Sequence, residues 1–227
     1  MPNINDYAIM PSVISADLCN LESDIAKMKE AGVKTLHIDV LDGNFSPSMP
    51  IGLDTYLQLS KRTDLNFDVH IMSTNNDLCV SKAIEMNAKR ICFQVEGERH
   101  VSKYISQIKQ AGIKAGLAFA PATAIENYVD ILSELDFILI MRIEPGYAFA
   151  SGGKLDFIRN KIIKARKLLD SIKPGIEICV DGRVSFDDIK TLLEDGANNL
   201  VGGSKSFFVS KDYKENYDKM VSEYCNK

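Results

Sequence analysis

Strand-like and helical segments alternate along the whole chain, and this alternation most narrows the folds open to it. Short apolar runs with turn residues on either side predict strands at residues 7–12, 35–40, 65–70, 90–95, 114–119, 137–143, 176–181 and 199–201. Apolar residues at helical spacing predict helices at residues 21–31, around 56–59, from 75 or 76 through 86, at 101–111, 123–132 and 155–172, from the cap at 185 to 193, and around 213–224.

This pattern predicts an α/β fold with a parallel sheet. Eight units in 227 residues favour a closed (β/α)8 TIM barrel over an open, doubly wound sheet. No linker rich in Pro, Gly or Ser divides the chain. We therefore expect one barrel domain over residues 1–227.

The second predicted strand carries a histidine and a carboxylate two residues apart. Successive side chains of a strand point to opposite faces. His37 and Asp39 would therefore project from one face, while Leu36, Ile38 and Val40 are buried on the other. That spacing supplies half of a metal site.

Two further predicted strands end in residues of the same kind. Three strands could therefore deliver four ligands to one point, namely His37, Asp39, His70 and Asp181. Nitrogen and carboxylate ligands suit one divalent ion such as Zn, Fe, Mn or Co. A lone histidine or aspartate at a strand end is more often a hydrogen-bonded loop anchor. The metal site is favoured because two of the three histidines fall at strand ends beside acidic residues.

Composition argues against several classes of partner. The formal net charge of -4, the pI near 5.5 and the dispersed lysines leave no electrostatic footprint for nucleic acid. Apolar runs are only strand-length and no secretory leader pattern is present, so we expect no membrane association and a cytoplasmic location.

The five cysteines form no C-x-x-C pair, which argues against a disulfide framework or a thiolate zinc site.

A barrel of this kind places its site at the C-terminal ends of the strands. Strand seven lies across the mouth from strand two, so Asp39 and Asp181 would face each other across a bound molecule. Two such carboxylates suggest that a proton leaves one face of a carbon and another returns to the opposite face. A divalent ion that polarises a carbonyl and its neighbouring hydroxyl stabilises the enediolate between these steps. The predicted reaction is stereo-inversion next to a carbonyl.

Glycines after the last two predicted strands are candidates for anion binding. Gly182 follows strand seven, while Gly202, Gly203 and Ser204 follow strand eight. Barrel enzymes often hold phosphate there, on backbone N–H groups and a helix N-terminus. Most Gly-Gly-Ser sequences are simply turns. The long loop 144–153 after strand six is predicted as a phosphate flap or lid, with a mobile surface loop as the alternative.

Several segments together resemble the ribulose-phosphate 3-epimerase family. Residues 11–17 (PSVISAD) look like its opening PSILSAD motif, and residues 37–43 (HIDVLDG) like its HxDxMDG signature. The other matches, in the family's order up to about residue 207, are DVHIM at 68–72 with DVHLM, PAT at 121–123 with NPAT, PGY at 145–147 with PGF, and VDG at 180–182 with VDGG. The set is highly specific, although most single matches are not.

The resemblance implies a (β/α)8 barrel that binds one divalent metal through His37, Asp39, His70 and Asp181, with Asp39 and Asp181 as the acid/base pair. It also implies that Ser12 contacts the substrate and that Met72 and Met141 line the pocket, although spacing alone would place both methionines in the core. Family members interconvert D-ribulose 5-phosphate and D-xylulose 5-phosphate in the pentose phosphate pathway. The resemblance suggests a homo-oligomer. The predicted substrate-binding residues are Ser12, His70, Met72, Met141, Gly146, Gly182, Arg183, Gly203 and Ser204.

The chain departs from the family pattern mainly around the distal end of the substrate. The family methionine of MDG is Leu41, its VPN is SPS at 46–48, and its PGFGGQ loop is PGYAFASGGK at 145–154. Arg183 replaces the second glycine of VDGG, and Arg142 follows the methionine of strand six. We hypothesise that Arg183 pairs with the substrate phosphate, because a guanidinium matches phosphate geometry. A solvent-exposed surface arginine is the alternative.

These residues leave three functions open. The first is the 3-epimerisation of D-ribulose 5-phosphate, and the second is the same chemistry on a hexulose 6-phosphate such as D-allulose 6-phosphate. The third is a non-catalytic phosphosugar-binding paralogue. The intact metal set argues against the third function, and the altered loop argues for it. A related barrel decarboxylase is disfavoured because the second strand lacks a D-x-K-x-x-D pattern.

Overall fold

The computed structural model describes residues 4–147 and 157–226. The strands within these residues are β1 (Ile9–Pro11), β2 (Thr35–Leu41), β3 (Asn66–Met72), β4 (Arg90–Gln94), β5 (Lys114–Phe119), β6 (Phe137–Met141), β7 (Glu177–Asp181) and β8 (Asn199–Gly202). The helices are α1 (Leu21–Ala31), α2 (Leu53–Ser60), α3 (Asn76–Glu85), α4 (Val101–Gln110), α5 (Val129–Leu132), α6 (Ile158–Ile172), α7 (Phe186–Glu194) and α8 (Tyr213–Cys225).

The eight strands form one parallel sheet in the order β1-β8-β7-β6-β5-β4-β3-β2. A single parallel bridge between Ser12 and His37 joins the two ends of this sheet. The sheet is therefore a nearly closed barrel, and the predicted (β/α)8 architecture is confirmed. The expectation of one domain over residues 1–227 stays a prediction.

Side chains along each strand alternate between the outside and the inside of the barrel, and this alternation produces two apolar layers. Outward-pointing residues such as Leu36, Ile38 and Val40 of β2 pack in the layer between sheet and helices. Inward-pointing residues fill the barrel interior with a smaller cluster, which includes Met10, Cys92, Phe137, Leu139 and Cys179. Each large apolar side chain that is fully buried contributes about 1.5–3 kcal/mol to folding. These layers fix the strands in the positions from which the polar interior residues project.

Local signals explain where several helices begin and end. Gly32 ends α1 in a left-handed conformation (φ 102°), where its N–H bonds the carbonyls of Met28 and Lys29. Asn75 caps α3 by accepting from the backbone N–H of Leu78 at 3.3 Å. Ser185 begins α7 with a capping box. These ends set the short turns that bring each chain segment back to the barrel.

Two of the predicted helices differ from the structure. The helix predicted at 123–132 is a 3-10 helix (Ile125–Tyr128) followed by the single turn α5. The helix predicted at 155–172 begins at Ile158, and residues 155 and 156 lie outside the described residues. Among the described residues, no helix has the length and apolar character needed to cross a membrane.

Asp42 ties the loop after β2 to the loop after β3. Its Oδ1 accepts from the backbone N–H groups of Asn44 (2.8 Å) and Phe45 (2.7 Å). Its Oδ2 accepts from the backbone N–H of Thr74 (2.8 Å) and the hydroxyl of Ser73 (2.9 Å). Burial opposes ionisation, but these hydrogen bonds lower the pKa of Asp42 to about 2. One carboxylate thus shapes the mouth of the barrel on the side of β2 and β3.

Replacing Asp42 with Asn should lower the free energy of unfolding at pH 7 by about 1–2 kcal/mol, a value that allows for solvent screening of a partly exposed group. The folded-state pKa lies below the ordinary value of 3.8, so the contribution is complete above pH 3.8 and is lost as the pH falls towards 2. Urea unfolding from pH 7 to pH 3 should show the difference from wild type narrowing. Exposed Asp54→Asn is the matched control, and a pH-independent difference contradicts this account.

Candidate metal centre and active site

The register between β2 and β3 stacks the polar interior residues in two layers. His37 is in register with Asp68, and Asp39 is in register with His70. In-register partners on parallel strands point to the same face, so all four side chains enter the barrel. The layer of Asp39 and His70 lies nearer the C-terminal mouth, and the layer of His37 and Asp68 lies beneath it.

Four ligand-type side chains converge at this mouth. His37, Asp39, His70 and Asp181 each offer one nitrogen or oxygen atom, and these atoms all lie within 4.8 Å of one another. His37 Nε2 lies 3.4 Å from an oxygen of Asp39 and 3.8 Å from an oxygen of Asp181. His70 Nδ1 lies 3.3 Å and 4.0 Å from the same two oxygens. The two ring nitrogens thus lie between a carboxylate from β2 and a carboxylate from β7.

Hydrogen bonds to residues outside the cluster determine which ring nitrogen of each histidine faces the centre of the cluster. His37 Nδ1 donates to Asp68 Oδ2 at 2.7 Å, which directs Nε2 to the cluster. With the amide of Gln94 assigned the orientation that satisfies both of its groups, its oxygen accepts from His70 Nε2 at 3.0 Å and its nitrogen donates to the carboxylate of Glu96 at 2.6 Å. His70 Nδ1 therefore faces the cluster. Metal-ligating histidines are usually held by such outer partners.

The cluster fits one divalent cation. His37 Nε2 is fully buried and has no hydrogen-bond partner among the described residues. A buried polar atom without a partner costs about 1–3 kcal/mol, and a bound ion removes that cost. Two imidazole nitrogens and two carboxylates match the ligand preferences of Zn, Fe, Mn and Co.

The charges and burial in the cluster shift the pKa values of the two carboxylates in opposite directions. Burial opposes ionisation of Asp39, but His37 and His70 hold the pKa of Asp39 well below its usual range. Burial and the negative charge of Asp39 raise the pKa of Asp181 above its ordinary value. Burial also opposes a charge on His37, but the carboxylates of Asp39 and Asp68 raise the pKa of His37 well above its usual value. The carboxylates of the cluster therefore favour a positive charge at its centre.

Two hydroxyl groups fix the orientation of Asp39. Ser12 Oγ donates to Asp39 Oδ2 at 2.6 Å, across the bridge that joins the ends of the sheet. The hydroxyl of Tyr56 in α2 donates to the backbone carbonyl of Asp39 at 3.0 Å. The family resemblance indicated Ser12 as a substrate contact rather than as a partner of Asp39, and the sequence showed Tyr56 only as a residue of a predicted helix.

An open cleft lies above the cluster at the mouth of the barrel. Asp39 and Asp181 reach its floor, while His70 is fully buried beneath it. Met72 and Met141 are almost fully buried, as their spacing predicted, and they also line the cleft. The remaining predicted substrate residues that line it are Ser12, Gly146, Gly182, Arg183, Gly203 and Ser204.

The structure also places Ile14, Ser15 and Ile143 in the cleft wall, which the sequence pattern did not indicate. Residues 148–156 lie outside the described residues. They include Gly152 and Gly153 and most of the predicted flap at 144–153. The prediction for that loop therefore stays a prediction.

A buried arginine supports the turn after β7. Arg142 follows β6 and lies 3.1 Å from the carboxylate of Asp188, the capping-box residue of α7. Its guanidinium also donates to the backbone carbonyl of Arg183 at 3.4 Å. Arg183 itself adopts a left-handed conformation (φ 53°), which is uncommon for a residue other than glycine. These contacts hold the backbone of the turn that brings Arg183 to the cleft.

The comparison with known proteins identifies the family. Residues 8–207 match the model of the ribulose-phosphate 3 epimerase family. The chain belongs to this family. Proteins named ribulose-phosphate 3-epimerase are similar along nearly the full chain. The one from Buchnera aphidicola is 36% identical over 214 residues, which are 93% of this chain and 92% of the relative. The one from Escherichia coli is 35% identical over 225 residues, 97% of each protein.

Solved structures support the fold independently of the family. A thiamine phosphate pyrophosphorylase from Pyrococcus furiosus superposes with a TM-score of 0.66 at 12% identity, covering 98% of this chain and 97% of that chain. A tryptophan synthase alpha-subunit from the same organism superposes with a TM-score of 0.66 at 14% identity, covering 99% of each chain. At such low identity these likenesses show the barrel fold alone. Family membership, by contrast, makes this chain an enzyme of the isomerase class with epimerase relatives.

Proposed function

We propose that the protein interconverts D-ribulose 5-phosphate and D-xylulose 5-phosphate by moving protons at C3. The observation that carries this proposal is the placement of Asp39 and Asp181 on either side of the two histidine nitrogens, at the floor of the cleft. An epimerase needs one group on each face of the reacting carbon. The pair provides both groups within the same site.

The two carboxylates act on opposite faces of C3. Asp39 takes the proton from one face as the base, and Asp181 delivers a proton to the other face as the acid. The roles are exchanged in the reverse direction. Ser12 orients Asp39 through the 2.6 Å hydrogen bond, so that one carboxylate oxygen is held while the other faces the centre.

One divalent ion, held by His37, Asp39, His70 and Asp181, would polarise the substrate oxygens next to C3 and lower the energy of the enediolate. The chain's own residues do the rest. Met72 and Met141 present apolar surface beside the reacting carbon and exclude water from it. Asp68 and Gln94 keep the two imidazole rings turned towards the centre.

We assign the phosphate to the side of the cleft formed by the turns after β7 and β8. Gly182, Gly203 and Ser204 line this side, and turns after late barrel strands often bind phosphate through backbone N–H groups. Arg183 adds a guanidinium that matches phosphate geometry. The homo-oligomer and the cytoplasmic location stay predictions.

A hexulose 6-phosphate is the second candidate substrate. It is favoured by one feature, the replacement of a family glycine by Arg183 in the cleft wall, which changes the part of the site distant from the metal cluster. The chemistry at C3 would be unchanged. A non-catalytic phosphosugar-binding paralogue is disfavoured because binding alone needs no pair of opposed carboxylates.

Asp181→Asn tests the acid/base proposal. An amide can still occupy the space of Asp181 but cannot exchange a proton near neutral pH, so we expect a fall in kcat of about 10²–10⁴-fold for D-ribulose 5-phosphate. The measurement is formation of D-xylulose 5-phosphate by protein loaded with Zn²⁺, Mn²⁺, Co²⁺ or Fe²⁺. Exposed Asp187→Asn is the control and should keep wild-type turnover.

The same assay with D-allulose 6-phosphate separates the two substrates. Robust wild-type activity on the pentulose phosphate supports the first candidate, and activity confined to the hexulose phosphate supports the second. Undiminished turnover by Asp181→Asn contradicts the role of Asp181. Absence of turnover on both substrates by metal-loaded wild type leaves the non-catalytic function.

Arg183→Ala tests the phosphate assignment. Loss of a charged hydrogen bond to phosphate should raise KM about 10-fold or more and weaken inhibition by inorganic phosphate to a similar extent, with kcat little changed. Surface Arg62, which is paired with Glu22 at 2.9 Å, gives the matched control Arg62→Ala. An unchanged KM in Arg183→Ala removes this residue from the phosphate site.

A further inference from the structure

A fully buried arginine lies beneath the candidate metal centre. Arg90 begins β4 and has none of its surface exposed to solvent. It is in register with Asp68, which in turn is in register with His37. Three adjacent strands therefore carry an arginine, an aspartate and a histidine side by side on the inner face of the barrel. Burying an arginine is costly unless its charge is compensated.

Arg90 makes a charge contact with the outer partner of a candidate metal ligand. Its Nε lies 3.0 Å from Asp68 Oδ1, and the other oxygen of Asp68 accepts from His37 Nδ1 at 2.7 Å. Both side chains of the arginine–aspartate pair are fully buried. The carboxylate of Asp68 thus forms an ion pair with the guanidinium at one oxygen, without hydrogen-bond geometry, and presents the other oxygen to the imidazole. A rotation of this carboxylate would break both contacts together.

Further contacts fix the guanidinium itself. Its Nη1 donates to the side-chain oxygens of Asn199 at 2.8 Å and Glu177 at 3.1 Å. The guanidinium carbon lies 3.9 Å from the centre of the Phe137 ring and 4.9 Å from the centre of the Tyr7 ring. Residues from β6, β7 and β8 therefore hold Arg90 from the far side of the barrel. Together these contacts favour the observed position of the guanidinium.

A glycine in a neighbouring strand leaves room for the Phe137 ring that stacks on Arg90. Gly116 of β5 has no side chain, and a Cβ atom there would lie 2.6 Å from the Phe137 ring. The ring of Phe137 therefore occupies the position that a side chain at residue 116 would need. The barrel floor is built around a stacked guanidinium rather than filled with apolar side chains alone.

We propose that Arg90 is a positioning residue for the metal centre, which orients Asp68 and through it directs His37 Nε2 towards the bound ion. This proposal rests on the proposed function, because it assigns His37 as a ligand. Arg90 touches neither the ion nor the substrate, so it acts only through Asp68. The alternative role is a plug that fills the barrel floor and affects stability alone.

Three variants separate these two roles. Arg90→Met removes the guanidinium but keeps an unbranched chain of similar reach. Arg90→Lys keeps the positive charge but lacks the planar fork that contacts Asp68, Glu177 and Asn199 together. Glu177→Gln removes a carboxylate from the same guanidinium but leaves the contact between Arg90 and Asp68, and it is the matched control for disturbance of the barrel floor.

The first readout is Zn²⁺ affinity, measured by competition with a chromophoric chelator. We expect Arg90→Met to bind Zn²⁺ about 10–100-fold more weakly than wild type, which is the usual effect of losing an outer partner of a metal ligand. Arg90→Lys should lose less affinity, and Glu177→Gln should stay within about threefold of wild type. Thermal unfolding of the metal-free variants is measured alongside. It shows whether the variants that bind Zn²⁺ more weakly are also the less stable ones.

The second readout is the Nδ1 proton of His37 in the zinc-loaded protein. The chain has three histidines, so the imidazole resonances can be assigned by ¹⁵N NMR. Wild type and Glu177→Gln should show a downfield His37 Nδ1 proton from the bond to Asp68. In Arg90→Met this signal should move upfield or exchange with water. A barrel plug alone would not move it selectively.

The outcomes separate this proposal from the proposed function. Wild-type protein that does not bind Zn²⁺ contradicts the metal centre itself. Zn²⁺ binding by wild type, together with an Arg90→Met affinity within threefold of it, overturns only the role of Arg90. If Arg90→Met does not fold, Arg90→Lys decides, and an affinity equal to that of Glu177→Gln overturns the proposal.

Discussion

The parallel register between β2 and β3 is the constraint on which the rest of the site depends. It places His37 beside Asp68 and Asp39 beside His70. Side chains alternate between the faces of a strand, so a slip of one residue would turn these groups into the apolar layer under the helices. The outward residues Leu36, Ile38 and Val40 resist that slip, since each is buried in that layer. Apolar packing outside the barrel thus specifies the polar arrangement inside it.

Charge compensation is the second requirement, because so many ionisable groups are buried together. Asp39, Asp68, His37 and His70 are all buried, and a buried charge is tolerated only with a partner. Arg90 offsets Asp68 from below, and a divalent ion would offset Asp39 and Asp181 from the centre. Within the cluster itself, His37 and His70 lower the pKa of Asp39 against the effect of burial, whereas burial and the charge of Asp39 raise the pKa of Asp181.

The sequence predicted the barrel and the four residues of the cluster, because both depend on patterns within single strands. Short apolar runs between turn residues located all eight strands of the described residues to within a few residues. The outer partners were not predictable in this way. Asp68 was visible only as part of a motif, and Gln94 and Arg90 were ordinary strand residues. Their contacts depend on the register between strands, which one sequence does not state.

The helix predicted at 123–132 is a second case in which the pattern of a single segment was not enough to predict the structure. The stretch has apolar residues at helical spacing, but only its last four residues form an α-helix and the preceding turn is 3-10. Ile125 in the 3-10 helix and Leu132 in the α-helix are both buried, so the apolar spacing alone does not distinguish a 3-10 helix from an α-helix. Met72 and Met141 were assigned by spacing to the core and by family resemblance to the pocket, and the structure places them in both.

The central claim is that two opposed carboxylates remove and deliver the proton at C3. A single-turnover reaction in deuterium oxide tests this claim most directly. The metal-loaded protein is mixed with protiated D-ribulose 5-phosphate, or with D-allulose 6-phosphate if only that sugar reacts, and the product is analysed by NMR. Transfer between two different groups predicts one deuterium at C3 of every product molecule. A product that keeps the substrate's own C3 hydrogen would contradict the two-carboxylate account.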